Sequence, residues 1–339
     1  MLTTGPAAEL GSSGVRVTAL GFGGAPLGNH LSEVPDEAAR AALDAAWDAG
    51  VRLFDTAPHY GVGLSERRVG QALRGRPRGE FTLSTKVGRL VVPADSERGR
   101  SGDRDHGFVV PDTHRLAFDF SAAGVRRSLE ESLERLGVDA VDVLLVHDPD
   151  EHLDEARAGA LPEVVRMREE GLVRAVGAGM NDAVPLTGFV EEFDLDVVLV
   201  AGCWNLLDRS ALDHLFPAAA RTGTSVLLGG VFASGVLATD RPAPGATYRY
   251  APAGADLLAR VHGLADVAER HGMTLPALAV RFALAAPSVA SVLLGVRTAE
   301  EVRRNASLLG EPVPDAVWED LLRAGLLDEE TVAVVTGGA

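Results

Sequence analysis

The sequence predicts an α/β protein folded as a single (β/α)8 TIM barrel over residues 1–339. Three observations predict it. Short β-branched or apolar runs alternate with longer helical patterns almost to the end of the chain. The alternation gives about eight β/α units in order, the pattern of a barrel and not of a doubly wound sheet. Three of the runs also end on an ionisable residue: 51–54 leads into Asp55, 81–85 into Lys86 and 141–146 into His147. The C-terminal ends of barrel strands are where this fold carries its chemistry.

The elements follow in order. After a polar start at 1–14, residues 15–23 read as the first strand. Residues 36–49 have apolar side chains at helical spacing and stop at Gly50. Strand two is 51–54, followed by a helix at 65–73 with Ser65 as its N-cap, and by strand three at 81–85. Residues 88–118 break the pattern, being rich in Arg, Asp, Gly and Ser. A long irregular segment inside a compact domain is usually a lid or binding loop, or is disordered; because 88–118 follows strand three, it is expected to lie over the catalytic face as a substrate lid. A strongly amphipathic helix at 121–136 closes at Gly137, and strand four is 141–146. The remaining strands are 173–177, 195–200, 225–228 and 289–294. Helices are expected at 155–170, 183–192, 211–222, 255–271, 275–285, 299–308 and 315–327.

With 339 residues, 46% of them hydrophobic, the chain can bury a large core. Its formal charge of −16, from 32 basic and 48 acidic residues, argues against a nucleic-acid or anionic-membrane partner. One cysteine, Cys203, excludes an internal disulfide and fits a reducing compartment. No signal-peptide pattern opens the chain, and no run of about 18 apolar residues could span a bilayer. A cytoplasmic protein acting on a small molecule is expected. No His-x-His or Cys/His cluster exists, and catalytic zinc usually takes about three protein ligands, so no metal is expected.

Taken singly, Asp55 reads as a turn cap, Tyr60 as packing, Lys86 as a solvated lysine and His147 as a turn residue. Their joint placement at strand ends points to proton transfer instead. A tyrosine is a poor acid or base near neutrality because its pKa lies near 10. A lysine ammonium nearby favours the phenolate, and a carboxylate beside the lysine keeps it charged and aimed. Tyr60, Lys86 and Asp55 supply these parts, and His147 is placed to hydrogen-bond a substrate oxygen. The set suits carbonyl/alcohol interconversion with Tyr60 passing the proton. Hydride transfer needs a cofactor such as a nicotinamide. Gly21-Phe22-Gly23-Gly24 lacks the Rossmann spacing, so such a cofactor is not held by that turn.

The run Phe54-Asp55-Thr56-Ala57-Pro58-His59-Tyr60-Gly61, with Leu64-Ser65-Glu66 and Val69-Gly70, resembles the aldo-keto reductase superfamily. The resemblance covers about Val17 to Leu308. It implies a (β/α)8 barrel, an NAD or NADP cofactor across its C-terminal face, and the tetrad Asp55, Tyr60, Lys86 and His147. Leu145-Val146-His147-Asp148-Pro149-Asp150, Gly177-Ala178-Gly179-Met180-Asn181 and Gly229-Gly230-Val231-Phe232 further resemble the D-threo-aldose 1-dehydrogenase group, which includes L-fucose and D-arabinose dehydrogenases. That implies oxidation of an aldose at C1 to its lactone. Pyridoxal dehydrogenase, a general NADPH-dependent aldehyde or ketone reductase, and a cofactor-sensing regulatory subunit are the alternatives.

The resemblance also implies a cofactor site. Asn181 matches the carboxamide contact, whereas the usual Gln falls at Ala201 and the usual stacking aromatic at Gly229. Gly295 opens a segment leading into a helix, and a helix N-terminus is a natural phosphate site. Arg297 and Thr298 match ribose-phosphate contacts, and Asn305 the adenine contact. Glu301 stands where NADP-specific members carry an arginine. A carboxylate there repels a 2′-phosphate and can accept from a 2′-hydroxyl, which favours NAD, while Arg297 and Arg304 leave room for NADP. His59 and Trp204 are expected at the substrate, with Trp204 or Phe232 as apolar contacts to the ring. Arg89, His106 and His114 are polar candidates in the lid.

Overall fold

In the computed structural model, residues 8–96, 107–249, 251–310 and 313–337 are described. They open with an antiparallel hairpin, β1 (Ala8–Glu9) and β2 (Arg16–Val17). Eight parallel strands then close into a barrel: β3 (Leu20–Gly23), β4 (Leu53–Asp55), β5 (Thr82–Val87), β8 (Val143–His147), β9 (Ala175–Met180), β10 (Val197–Ala201), β11 (Ser225–Gly229) and β14 (Val289–Gly295). β14 pairs with β3 to complete the ring. Two further hairpins lie outside it: β6 (Arg89–Pro93) with β7 (His114–Phe118), and β12 (Thr247–Tyr248) with β13 (Ala251–Pro252).

The barrel strands are buried on both faces, as parallel strands with a filled interior and a helical coat must be. Side chains alternate between two apolar layers. Leu53, Val143, Leu145, Val197, Leu199, Leu227 and Leu293 fill the barrel interior. Phe54, Leu83, Leu144, Val146, Val198 and Leu228 pack outward against the helices. Strand parity therefore settles where the ionisable residues point. Asp55 shares a face with Leu53, and His147 shares one with Leu145 and Val143. Lys86 shares a face with Ser84, opposite to outward-packed Leu83 and Val87.

Most expected elements are present, with informative shifts. The strand expected at 15–23 is two strands. The break falls at Thr18, whose hydroxyl donates to Leu20 O and accepts from Arg52 N. Lys86 and His147 lie within their strands and not just beyond them, because their side chains are engaged inside the barrel mouth and not in water. The helix expected at 65–73 runs Leu64–Leu73, with Gly63 at φ 82° in the N-cap position. Ser65 is no cap; its buried hydroxyl donates to Gly24 O at 2.8 Å. Ser121 does cap its helix, accepting from Gly124 N. The helix expected at 155–170 contains a π turn at Ala156–Ala160, where a Cβ on Gly159 would come within 2.5 Å of Phe120 O.

Residues 88–118 are not wholly irregular, since β6 and β7 form a ribbon at the two ends of the segment. Leu90, Val92 and Leu116 are buried in alternation, a pattern that the interspersed arginines mask in the sequence. The helix expected from 211 starts at Leu215, and the one expected to reach 327 ends at Arg323. A last helix, Glu329–Val335, was not expected; Asp328 caps it by accepting from Thr331 N. No helix among the described residues is long and apolar enough to cross a membrane.

Candidate active site

Three successive barrel strands build the centre of the site. In register, Asp55 of β4 is paired with Ser84 of β5. Lys86 follows two residues along the same face of β5. The Asp55 carboxylate is thus met on both oxygens: Ser84 Oγ donates to Oδ1 at 2.9 Å and Lys86 Nζ to Oδ2 at 2.6 Å. Lys86 Nζ also donates to Thr56 O at 2.9 Å. Both ionised groups are almost fully buried, at 1% and 2% relative exposure, so neither could stay charged there without the other. Burial would lower the Lys86 pKa, but Asp55 and Tyr60 outweigh it and raise it, so the ammonium stays charged.

Tyr60 follows β4 in the turn at 56–63. Lys86 Nζ lies 4.6 Å from the centre of its ring. Burial raises the Tyr60 pKa, with Asp55 and Asp148 adding to it, and the opposing pull of Lys86 does not overcome them. Lys86 thus pulls the Tyr60 pKa down as expected, but loss of water around the hydroxyl is the larger effect and the net shift is upward. His147 stands perpendicular to Tyr60, ring centres 5.7 Å apart. Burial lowers its pKa well below the usual value, and Arg89, Lys86 and His59 push the same way, so the ring is neutral. His59 and Phe108 pack edge to face at 5.1 Å and complete an aromatic wall beside Tyr60.

These groups lie at the mouth of a cleft of about 590 Å³. Asp55, His59, Tyr60, Lys86 and His147 line one part of it; Asn181, Gly229, Gly295, Arg297, Glu301 and Asn305 line another. Two expected residues are elsewhere. Trp204 is fully buried in the outer core, stacked on Phe282 at 4.7 Å and edge-on to Phe216 at 5.0 Å. It does not line the cleft, because its indole fills the space between barrel and helices; Phe232 does line it. Thr298 caps the helix Ala299–Ser307, accepting from Glu301 N, and is not among the lining residues. His114 is exposed, bonded to its neighbour Thr113, and His106 lies outside the described residues.

The second part of the cleft suits a dinucleotide. Asn305 Oδ1 is buried with no partner among the described residues, an acceptor awaiting a donor. Gly229, Gly230, Ala201 and Gly179 leave a stretch of wall as bare backbone or methyl. Gly24 also lines the cleft, and a Cβ there would meet Asp55 O and Ser65 Oγ at 2.7 Å. Glu301 Oε2 accepts from Arg297 N at 2.6 Å, closing an expanded capping box with Thr298. Arg297 reaches His30 O, while its Nε is buried without a partner among the described residues.

A family model described as the Aldo/keto reductase family matches residues 19–324. The chain belongs to the aldo/keto reductase family. It is an NAD(P)-dependent oxidoreductase of that family. The chain is 41% identical over 328 residues to D-threo-aldose 1-dehydrogenase of Pseudomonas sp, covering 96% of this chain and 99% of the relative. It is 36% identical over 335 residues to pyridoxal 4-dehydrogenase of Microbacterium luteolum, covering 94% and 97%. Among solved structures, aldo-keto reductase AKR11C1 from Bacillus halodurans in its holo form superposes with a TM-score of 0.75 at 25% identity, covering 94% of this chain and 95% of that one.

Sequence reasoning missed several residues of the site. Ser84, the second partner of Asp55, was legible in principle, since it precedes Lys86 by two in a strand and so shares its face. Asp148, Phe108 and the bonding of Arg89 to His59 and Asp148 had no local signal, because their neighbours come from distant parts of the chain.

Proposed function

We propose that the protein oxidises an aldose, such as L-fucose or D-arabinose, at C1 to its lactone. The observation that carries the reading is the buried Lys86–Asp55 pair at 2.6 Å, with Lys86 Nζ 4.6 Å from the centre of the Tyr60 ring and the His147 ring 5.7 Å from that of Tyr60. Tyr60 takes the proton of the anomeric hydroxyl. Tyr60 does so as the phenolate, which Lys86 stabilises until the proton arrives, and Asp55 holds Lys86 in place with help from Ser84. His147, neutral, donates a hydrogen bond to the same substrate oxygen. NAD(P), when bound, supplies the hydride acceptor. Asn181, Gly229, Gly295, Arg297, Glu301 and Asn305 would hold it, with Glu301 disfavouring a 2′-phosphate and so favouring NAD.

The 41% identity to D-threo-aldose 1-dehydrogenase supports the aldose. The 36% identity to pyridoxal 4-dehydrogenase favours a second reading, in which pyridoxal, itself an internal hemiacetal, is the substrate of the same residues. We also read the protein as cytoplasmic, on its single cysteine, Cys203, a buried free thiol. The test is nicotinamide reduction by the purified protein with NAD or NADP and a panel of L-fucose, D-arabinose, L-galactose, D-glucose and pyridoxal. Fast NAD reduction with the first two supports the aldose reading and the role of Glu301. A rate with pyridoxal alone moves the substrate, and no rate with any of them sinks both readings.

A further inference from the structure

Asp148 lines the cleft beside His147, yet the proton transfer above makes no use of it. Its backbone is unusual. The residue sits at φ 40°, a conformation that side-chain-bearing residues rarely hold, while its N–H continues the barrel ladder to Gly179 O at 2.9 Å. Strain of this kind is retained where the surroundings over-determine it, often at binding sites.

Its carboxylate is asymmetric. Oδ2 accepts from Arg89 Nη2 at 3.1 Å and lies 3.4 Å from His147 Nε2. Oδ1 accepts from no described residue. Arg89 is itself fixed: Nη1 is 3.3 Å from His59 Nδ1, and the guanidinium lies 5.2 Å from the centre of the Phe118 ring. The carboxylate is thus held from behind by one oxygen, with the other open in a partly desolvated cleft. Burial raises its pKa to about 6, against the pull of Arg89 and Lys86 and with that of Asp150. A hydrogen-bond donor from the substrate would repay that cost. The ionised groups at this end, Asp55 with Lys86 and Asp148 with Arg89, already balance in charge. A neutral hydroxyl therefore suits the open oxygen better than a cation.

We propose that Asp148 is a specificity-determining residue whose open carboxylate oxygen accepts a hydrogen bond from a hydroxyl on the carbon next to the reacting one. The placement follows from adjacency, because a carboxylate beside the His147 imidazole suits oxygens on neighbouring carbons. This rests on the reading that Tyr60 and His147 flank the reacting oxygen. The cleft then selects hydroxylated substrates over bare aldehydes. Sites built to bond a substrate hydroxyl reject analogues lacking it far more strongly than apolar pockets reject a missing methylene.

The test compares glyceraldehyde with propanal, which share a three-carbon chain and differ in their hydroxyls, as substrates for reduction by NADH. Wild type is set beside Asp148→Asn, which tolerates the left-handed backbone, and Asp148→Gly, which adopts it freely and removes the side chain. In Asp148→Asn the amide oxygen turns to Arg89, which can only donate, and leaves an NH2 donor toward the cleft. We expect wild type to prefer glyceraldehyde. Asp148→Gly should lose that preference by about tenfold or more, mainly through KM, with propanal scarcely affected, and Asp148→Asn, whose NH2 can still donate to the hydroxyl oxygen, should lose a smaller part of it. Equal losses on both aldehydes would overturn the proposal, assigning Asp148 to the geometry of His147. An unchanged ratio, or no preference in wild type, would also overturn it, and no turnover of either aldehyde would remove it together with the proposed function. A collapsed ratio without any L-fucose oxidation would sink the aldose reading alone.

Discussion

At Tyr60 two opposing forces act on one hydroxyl. Removal of water favours the neutral phenol, and the Lys86 ammonium favours the phenolate; burial wins, and the pKa lies above the usual value. The resting group is therefore an acid at neutral pH. Oxidation, which needs the phenolate, should accelerate as pH rises above neutrality, since each rise converts more Tyr60 to base. A pH profile of kcat/KM for oxidation checks this, and a plateau already reached at neutral pH would contradict it. His147 adds no limb of its own near neutrality, because burial keeps it uncharged. Tyr60→Phe removes the proton carrier and leaves the ring. Turnover should fall by about 10²–10⁴-fold while cofactor binding, followed by fluorescence titration, stays near wild type. An unimpaired variant would defeat the proposed mechanism.

One helix shows how the elements are fastened behind the site. The Leu64–Leu73 helix carries Ser65, which ties Gly24 O to Thr56 Oγ1, and Glu66, which is fully buried. Glu66 accepts from Thr85 Oγ1 at 2.8 Å and from Arg135 Nε at 2.5 Å. Thr85 is the residue of β5 just before Lys86 and points the opposite way, so the same strand is gripped from inside by Asp55 and from outside by Glu66. Close approach is needed too: a Cβ on Gly70 would lie 1.9 Å from Leu136 O on the neighbouring helix. Glu66→Ala leaves Arg135 with a missing partner and a buried gap. It should cost about 3–5 kcal/mol in urea unfolding, as breaking buried pairs does. A loss within experimental scatter would show that water replaces the carboxylate. The helices were legible because a 3.6-residue period survives in sequence, and the β6–β7 ribbon was not, because buried Arg115 and half-buried Arg89 mask its alternation.

Across the whole molecule, chemistry and closure occupy opposite ends of the barrel. The β1–β2 hairpin covers the end where strands begin: Glu9 O and Gly11 N bond Ser225 Oγ, Arg16 O accepts from Thr82 Oγ1, and Gly14 O accepts from Arg174. Leu10, Val15 and Val17 enter the barrel's interior cluster from below. Leu10→Ala should therefore destabilise the fold by about 2–5 kcal/mol and leave kcat unchanged at temperatures where the protein stays folded. Denaturation and steady-state rates on the same preparation check both halves. A changed kcat would mean that the two ends are mechanically coupled.

The sequence by itself determined the barrel, because strand and helix periods are local properties and eight alternations admit few packings. It also determined Asp55, Tyr60, Lys86 and His147 as one group, since strand ends converge once the barrel is granted. What only the tertiary structure decided is what surrounds them. Trp204 turned outward into the core, Thr298 became a cap, Ser84 joined Asp55, and Asp148 met Arg89 from a strand far away in the chain. The balance on Tyr60 was decided there as well. Desolvation depends on every neighbour at once, and no spacing along a chain encodes how much water those neighbours exclude.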